Sequence, residues 1–368
     1  MKLAYVCNEY PPLPGGGIGT FVGTVARGMR ARGHDVTVVG WGAVAAERDD
    51  KGVRVVTLPA ARLPGLRWLL DRCRLHRWLA REARAGRVDL VEVPDYLGVL
   101  PFHFPHCPVT VRLHLSWTAI ARQAGLRPKP LTVLGERWTL KAHRGWIGVS
   151  RHALDLTRKT FGLVEEWSEV VYSPITLPEP QRDLPFELPP RFVLFAGSRL
   201  SARKGAHTLA EAARAFLPRH DGLELVYVGR PVDDSIKGLV GNGLAHRVRF
   251  LGPLPRAQLV SCMRKASAFV FPSTLETFGL VVGEAMLCGA PVVTTDVAPF
   301  TEFVAHERNG LLVAPGDPAA LADAVSRVVG DPALAAALAA RGRADMERDF
   351  SVDAALERNE ALYRRLVS

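Results

Sequence analysis

Two glutamates, Glu276 and Glu284, stand eight residues apart at a change of pattern. Before them the apolar run Ala268 to Phe271 has strand length and breaks at Pro272-Ser273-Thr274. After Gly279, Leu280, Val281, Ala285 and Leu287 keep helical spacing until Gly289. A loop feeding a helix offers unpaired backbone N–H groups and the positive end of the helix dipole, which suits a phosphate. One carboxylate in the loop and one on the helix can then accept hydrogen bonds from hydroxyls on either side of that phosphate. A nucleotide-sugar has this layout, with a sugar and a ribose flanking its diphosphate.

Other stretches offer matching chemistry. Gly197 to Gly205 follows an apolar run, precedes a helical one, and carries Arg199, Arg203 and Lys204. A fork-shaped guanidinium and a point-charge ammonium can clamp a diphosphate and neutralise it as it departs. Gly15-Gly16-Gly17-Ile18-Gly19 lies between a first strand and a first helix and lets backbone approach a phosphate. It is not a nicotinamide-binding turn: G-x-G-x-x-G fails in both registers, and the next strand ends Val39-Gly40-Trp41 without an acid for the ribose. His114 ends the strand Val109 to His114, Asp95 and Tyr96 follow another, and Asn8, Glu9 and Tyr10 follow the first. All stand where doubly wound sheets bind ligands, beyond the carboxyl ends of strands.

Strand-like runs alternate with helix-periodic ones throughout, which implies parallel sheets in an α/β fold. In the first half the runs are 3–7, 36–39, 53–58, 88–93, 109–114 and 146–150; in the second they are 192–196, 223–228, 248–251, 268–271, 291–294 and 310–313. The proline-rich stretch 174–190 separates a domain over 1–173 from one over 191–350, and a last helix fills 351–368. The chain of 368 residues carries a net charge of +10, which favours anionic partners. Five scattered cysteines without C-x-x-C spacing speak against a disulfide framework or a zinc site. Asp-x-Asp, H-E-x-x-H, Walker A and G-x-S-x-G motifs do not occur, so no metal is expected.

Together these motifs resemble the family 4 (GT4) retaining glycosyltransferases of GT-B fold, over nearly the whole chain. The likeness rests on Glu9-Tyr10-Pro11-Pro12 with the glycine loop, on Gly197-Ser198-Arg199 with Lys204-Gly205, and on the E-x7-E pair. It implies two Rossmann-like doubly wound domains facing a central cleft, with the C-terminal helix crossing back to the first. By the resemblance, Arg199 and Lys204 bind the diphosphate, Glu276 the donor sugar and Glu284 the ribose. Phe278, Gly279 and Leu280 offer backbone amides, and Gly16 and Gly17 close over the diphosphate. Arg230 and Leu254 border the base. His114 stands near the donor sugar, and Asn8, Glu9, Tyr10, Asp95 and Tyr96 face the acceptor. The implied reaction is hexosyl transfer with retention from a UDP-sugar, or next GDP-mannose, to a hydroxyl of a glycan, glycolipid or small metabolite, without a metal or other cofactor. The alternatives are a sugar-nucleotide epimerase of the same two-domain plan, or a non-catalytic nucleotide-sugar binder.

The basic segment adds a surface. Arg74, Arg77, Arg81 and Arg84 make a stripe along one helical face, with Leu75, Trp78, Leu79 and Ala83 on another. Such a helix can rest on an anionic membrane. The aromatics do not interleave with the stripe, so nucleic acid is not expected. With neither a signal-peptide pattern nor a membrane-length apolar run, the expected place is the cytoplasm, at the inner membrane face where the basic helix touches lipid.

Overall fold

The computed structural model describes residues 1–13, 17–63, 65–123, 125–231, 235–276 and 278–368. The chain divides into two compact units, Met1–Pro174 with Val352–Ser368, and Ile175–Ser351.

The first unit holds β1 (Lys2–Val6), β2 (Asp35–Gly42), β3 (Ala46–Asp50), β4 (Val53–Pro59), β5 (Leu90–Pro94), β6 (Val109–Leu113), β7 (Gly145–Gly148) and β8 (Trp167–Val170). They form one sheet in the order β3-β4-β2-β1-β5-β6-β7-β8. Every neighbouring pair is parallel except β3–β4. β5 is buried along its whole length, as a central parallel strand covered on both faces must be. Two of these strands escape the sequence pattern. β3 reads Ala-Glu-Arg-Asp-Asp and lies exposed at the edge, where charge discourages further pairing. β8 is a short opposite edge with no buried residue.

The helix Gly17–Ala31 buries Phe21, Val22, Val25, Ala26 and Met29. The helix Val352–Val367 packs on it: a Cβ at Gly28 would come within 2.4 Å of the Leu356 side chain, so a larger residue there would make Leu356 shift. Below it lies a buried polar knot. Arg112 donates to Glu92 at 3.1 and 2.7 Å and to Asn359, and the Tyr363 hydroxyl donates to Glu92 at 2.7 Å. A charge inside a core persists only when paired and hydrogen-bonded, and here the last helix supplies partners.

The second unit holds β9 (Arg191–Leu200), β10 (Leu223–Pro231), β11 (Val248–Phe250), β12 (Ala268–Phe271), β13 (Val292–Thr295) and β14 (Leu311–Val313). These make an all-parallel sheet in the order β11-β10-β9-β12-β13-β14. Residues 175–190, expected as a linker, form no helix or strand and run along this unit. Ile175 is buried and its N–H donates to Phe350 O, while Gln181 O accepts from Ser261 Oγ. The described residues contain no helix long and apolar enough to cross a membrane.

Candidate functional site

In the second sheet the strand order reverses between β9 and β12, which makes the gap beyond their carboxyl ends the place for a ligand. The chain leaves β9 through 201–205 and β12 through 272–276, and the two loops are stitched together. Thr274 N–H and Ser273 Oγ donate to Arg203 O at 2.9 and 3.0 Å, and Arg203 Nη1 donates to Leu275 O at 3.1 Å. Gly205 (φ +79°) caps the following helix where a Cβ would lie 2.0 Å from Pro272 O, so a side chain would force the loops apart. Thr294 Oγ1 on Phe271 O (2.8 Å) and Thr295 Oγ1 on Ser273 O (2.5 Å) brace the second loop from β13.

This stitching brings two expected residues together. Lys204 Nζ lies 2.5 Å from Glu276 Oε1 and 5.4 Å from the Phe271 ring centroid. Glu276 is 6% exposed and also accepts from Ser273 Oγ at 3.2 Å. Arg199 sits near the end of β9, in register with Arg230 on β10, and both side chains are exposed. Leu254 is half-buried in the loop before the helix Arg256–Lys265. Phe278 is buried against Phe303 and Phe350. Gly279 (φ +80°) caps the helix Leu280–Leu287, and a Cβ there would lie 2.2 Å from the Phe300 ring.

Glu284 is on that helix, paired with Arg256, which also donates to Thr176 O at 2.8 Å. Burial raises the Glu284 pKa, and the Arg256 charge pulls it back. Arg256 was not an expected site residue. It stands outside any charged motif, and only the fold sets it against a glutamate 28 positions on.

In the first unit the reversal falls between β1 and β5. Asn8 Oδ1 accepts from Trp41 N, and Glu9 Oε1 accepts from Gly19 N, both at 3.0 Å, which ties Asn8 to β2 and Glu9 to the first helix. Gly15 and Gly16 lie outside the described residues, and Gly17 is the first of the helix. Tyr10, expected to face an acceptor, is instead 2% exposed: its hydroxyl donates to Asp50 Oδ2 at 2.7 Å, between Arg27 and Arg48. Asp95 is also fully buried, accepting from His114 N at 3.0 Å, and burial raises its pKa. Tyr96 is half-buried.

The His114 ring meets Phe21 edge-on at 4.9 Å, and burial, with the Arg112 charge, lowers its pKa to about 3. A neutral imidazole can hold a hydroxyl but cannot carry charge. Glu136 was missed by sequence reasoning. It accepts from Leu97 N (3.0 Å), Trp117 N (2.9 Å) and Thr118 N (3.1 Å), tying the loops after β5 and β6 together.

Arg74, Arg77, Arg81 and Arg84 are exposed on the helix Arg67–Arg84. Among the described residues no three His, Cys, Asp or Glu side chains group as a metal would need.

A family model described as "Glycosyl transferases group 1" matches residues 190–331, and one described as "Glycosyltransferase Family 4" matches 15–178. The chain belongs to the family 4 glycosyltransferases. This glycosyltransferase is 27% identical to an uncharacterised glycosyltransferase of Methanocaldococcus jannaschii, over 96% of this chain and 95% of the relative. It is 29% identical to a glycogen synthase of Mycobacterium tuberculosis (95% and 91% covered). It is equally identical to a phosphatidyl-myo-inositol mannosyltransferase of that species (96% and 94%). Its fold matches sucrose-phosphate synthase from Thermosynechococcus elongatus at a TM-score of 0.74, with 24% identity and 99% and 98% of the chains covered. Anabaena HepE, solved with UDP and glucose, matches at 0.69, with 19% identity and both chains fully covered. The fold of this glycosyltransferase is therefore GT-B, built on two Rossmann-like sheets.

Proposed function

We propose that the chain moves a hexosyl group from a nucleotide-sugar, UDP-linked before GDP-mannose, to a hydroxyl of a glycan, glycolipid or small metabolite, with retention and without a metal. The observation that carries this reading is the Lys204–Glu276 contact at 2.5 Å in the loops that leave β9 and β12. A cation and a carboxylate held there suit a diphosphate and the sugar attached to it. HepE supports UDP by the ligand in its structure, and the mannosyltransferase relative supports a mannosyl donor as the second choice.

In this reading Lys204 and Arg199 neutralise the departing diphosphate, with the amides of Phe278, Gly279 and Leu280. Glu276 accepts from donor-sugar hydroxyls and Glu284 from the ribose. Neutral His114 holds a sugar hydroxyl. No side chain serves as nucleophile: the acceptor hydroxyl attacks on the face the nucleotide leaves, and a phosphate oxygen takes its proton. The new glycosidic bond forms as the bond to phosphate breaks.

The test is a thermal-shift screen of nucleotide-sugars, then transfer to acceptors with the best binder in EDTA, with the product anomer assigned by NMR. Transfer in EDTA with the donor's anomeric configuration kept supports the reading. Inversion, a strict Mg²⁺ requirement, or epimerised donor without acceptor contradicts it.

We propose cytoplasmic residence with peripheral contact to anionic lipid through Arg74, Arg77, Arg81 and Arg84. Leu63, Leu66 and Leu69, all exposed, lie on or just before the same helix and support this reading. Replacing the four arginines by glutamine is expected to abolish sedimentation with phosphatidylserine vesicles, each basic residue near the surface being worth about 1 kcal/mol. Equal sedimentation of variant and wild type contradicts the contact.

A further inference from the structure

The first unit contains a cavity of about 410 Å³ lined by Asn8, Trp41, Trp68, Asp71, Arg72 and Leu97 among others. Asn8 follows β1, Trp41 lies near the end of β2 and Leu97 follows β5, so the cavity opens at the carboxyl edge of the sheet. Its volume falls within the roughly 300–1,000 Å³ of small-molecule pockets.

The walls are set rigidly. Arg72 is 5% exposed and donates to Gly98 O (2.7 Å), Leu97 O (2.6 Å) and Trp68 O (3.0 Å). Its guanidinium lies 4.2 Å from the Trp68 ring centroid and 5.5 Å from that of Trp41. One buried cation thus fixes two half-buried indoles. Each keeps a free donor: neither indole N–H has a protein acceptor among the described residues, and the Asn8 amide nitrogen likewise has no protein partner there.

We propose that this cavity holds a neutral pyranose ring of the acceptor. The proposal rests on the glycosyl-transfer reading and names the chemistry of its acceptor. A pyranose presents a C–H face and a rim of hydroxyls. Indole surface takes the face, and the indole N–H groups and the Asn8 amide serve the rim. An anion fits badly. The charges in the wall are already answered: Asp71, 5% exposed, accepts from Ala61 N at 2.6 Å and pairs with the lining Arg67 at 3.5 Å, and the Arg72 donors are engaged by backbone carbonyls.

The experiment is saturation-transfer NMR of methyl α-D-glucopyranoside with the full chain, its Trp41→Ala and Asn8→Ala variants, and UDP thermal shifts on all three. The expected result is sugar signal with wild type, binding weakened about tenfold by Trp41→Ala and less by Asn8→Ala, and the same UDP shift throughout. Asn8→Ala carries the test if Trp41→Ala does not fold. No sugar signal with wild type, equal signal in the variants, or displacement of the sugar by inorganic phosphate overturns the proposal. A missing UDP shift in wild type strikes instead at the glycosyl-transfer reading.

Discussion

Lys204 Nζ lies 2.5 Å from Glu276 Oε1, so a nearly buried carboxylate holds the cation to which the proposed function assigns the diphosphate. On that proposal a donor competes with Glu276 for Lys204. Glu276→Gln removes the competitor and the acceptor of sugar hydroxyls together. It is expected to tighten UDP binding about three- to tenfold and to cut turnover about a hundredfold. Calorimetry and steady-state kinetics check the two directions, and weaker UDP binding by the variant contradicts the competition.

Glu284 makes a second prediction. Its carboxyl keeps a proton to higher pH in the folded chain than at its ordinary value of 4.5, because burial outweighs the Arg256 charge. Its contribution to stability therefore falls as pH rises from that ordinary value through the raised one. In the proposed role Glu284 accepts from both ribose hydroxyls only when ionised, so UDP affinity is expected to fall as pH drops through the raised pKa. Arg256→Ala removes the opposing charge and shifts that fall upward by about one pH unit. Coincident affinity profiles for variant and wild type contradict it.

His114 titrates the other way. Burial, then the Arg112 charge, takes its pKa from 6.5 to about 3, so the folded chain resists its protonation. The stability it contributes is complete above 6.5 and is lost as pH falls from 6.5 toward 3. Urea midpoints for wild type should fall more steeply over that window than those of His114→Gln. Parallel falls mean the imidazole is not held neutral.

The last helix gives a stability prediction. Tyr363 is fully buried and donates to Glu92 at 2.7 Å, beside Arg112. Tyr363→Phe keeps the ring and removes two charge-assisted hydrogen bonds, the donation to Glu92 and the 3.3 Å acceptance from Arg112, at a cost of at least about 1.5–3 kcal/mol. Thermal denaturation measures it, and an unchanged midpoint means the knot does not tie the helix to the sheet.

What the sequence disclosed follows from the range of each interaction. Glycines and charges in strand-to-helix loops are local signals, so the stretches around Lys204 and Glu276 stood out. The strands that were readable carry mostly apolar runs. β3 was hidden because a charged edge strand has no such pattern. Arg256 and Glu136 were hidden because their partners are set by the fold, and no spacing announces them. Tyr10 and Asp95 misled for a related reason: the position after a strand predicts the rim, but not whether the side chain turns inward to Asp50 or to the His114 backbone.

The most direct test of the account is calorimetric titration of UDP and of uridine into wild type and Lys204→Ala. The account predicts that UDP affinity falls at least about tenfold in the variant while uridine binds both alike, because Lys204 meets the phosphates and not the nucleoside. Equal UDP affinity in the two proteins would contradict it.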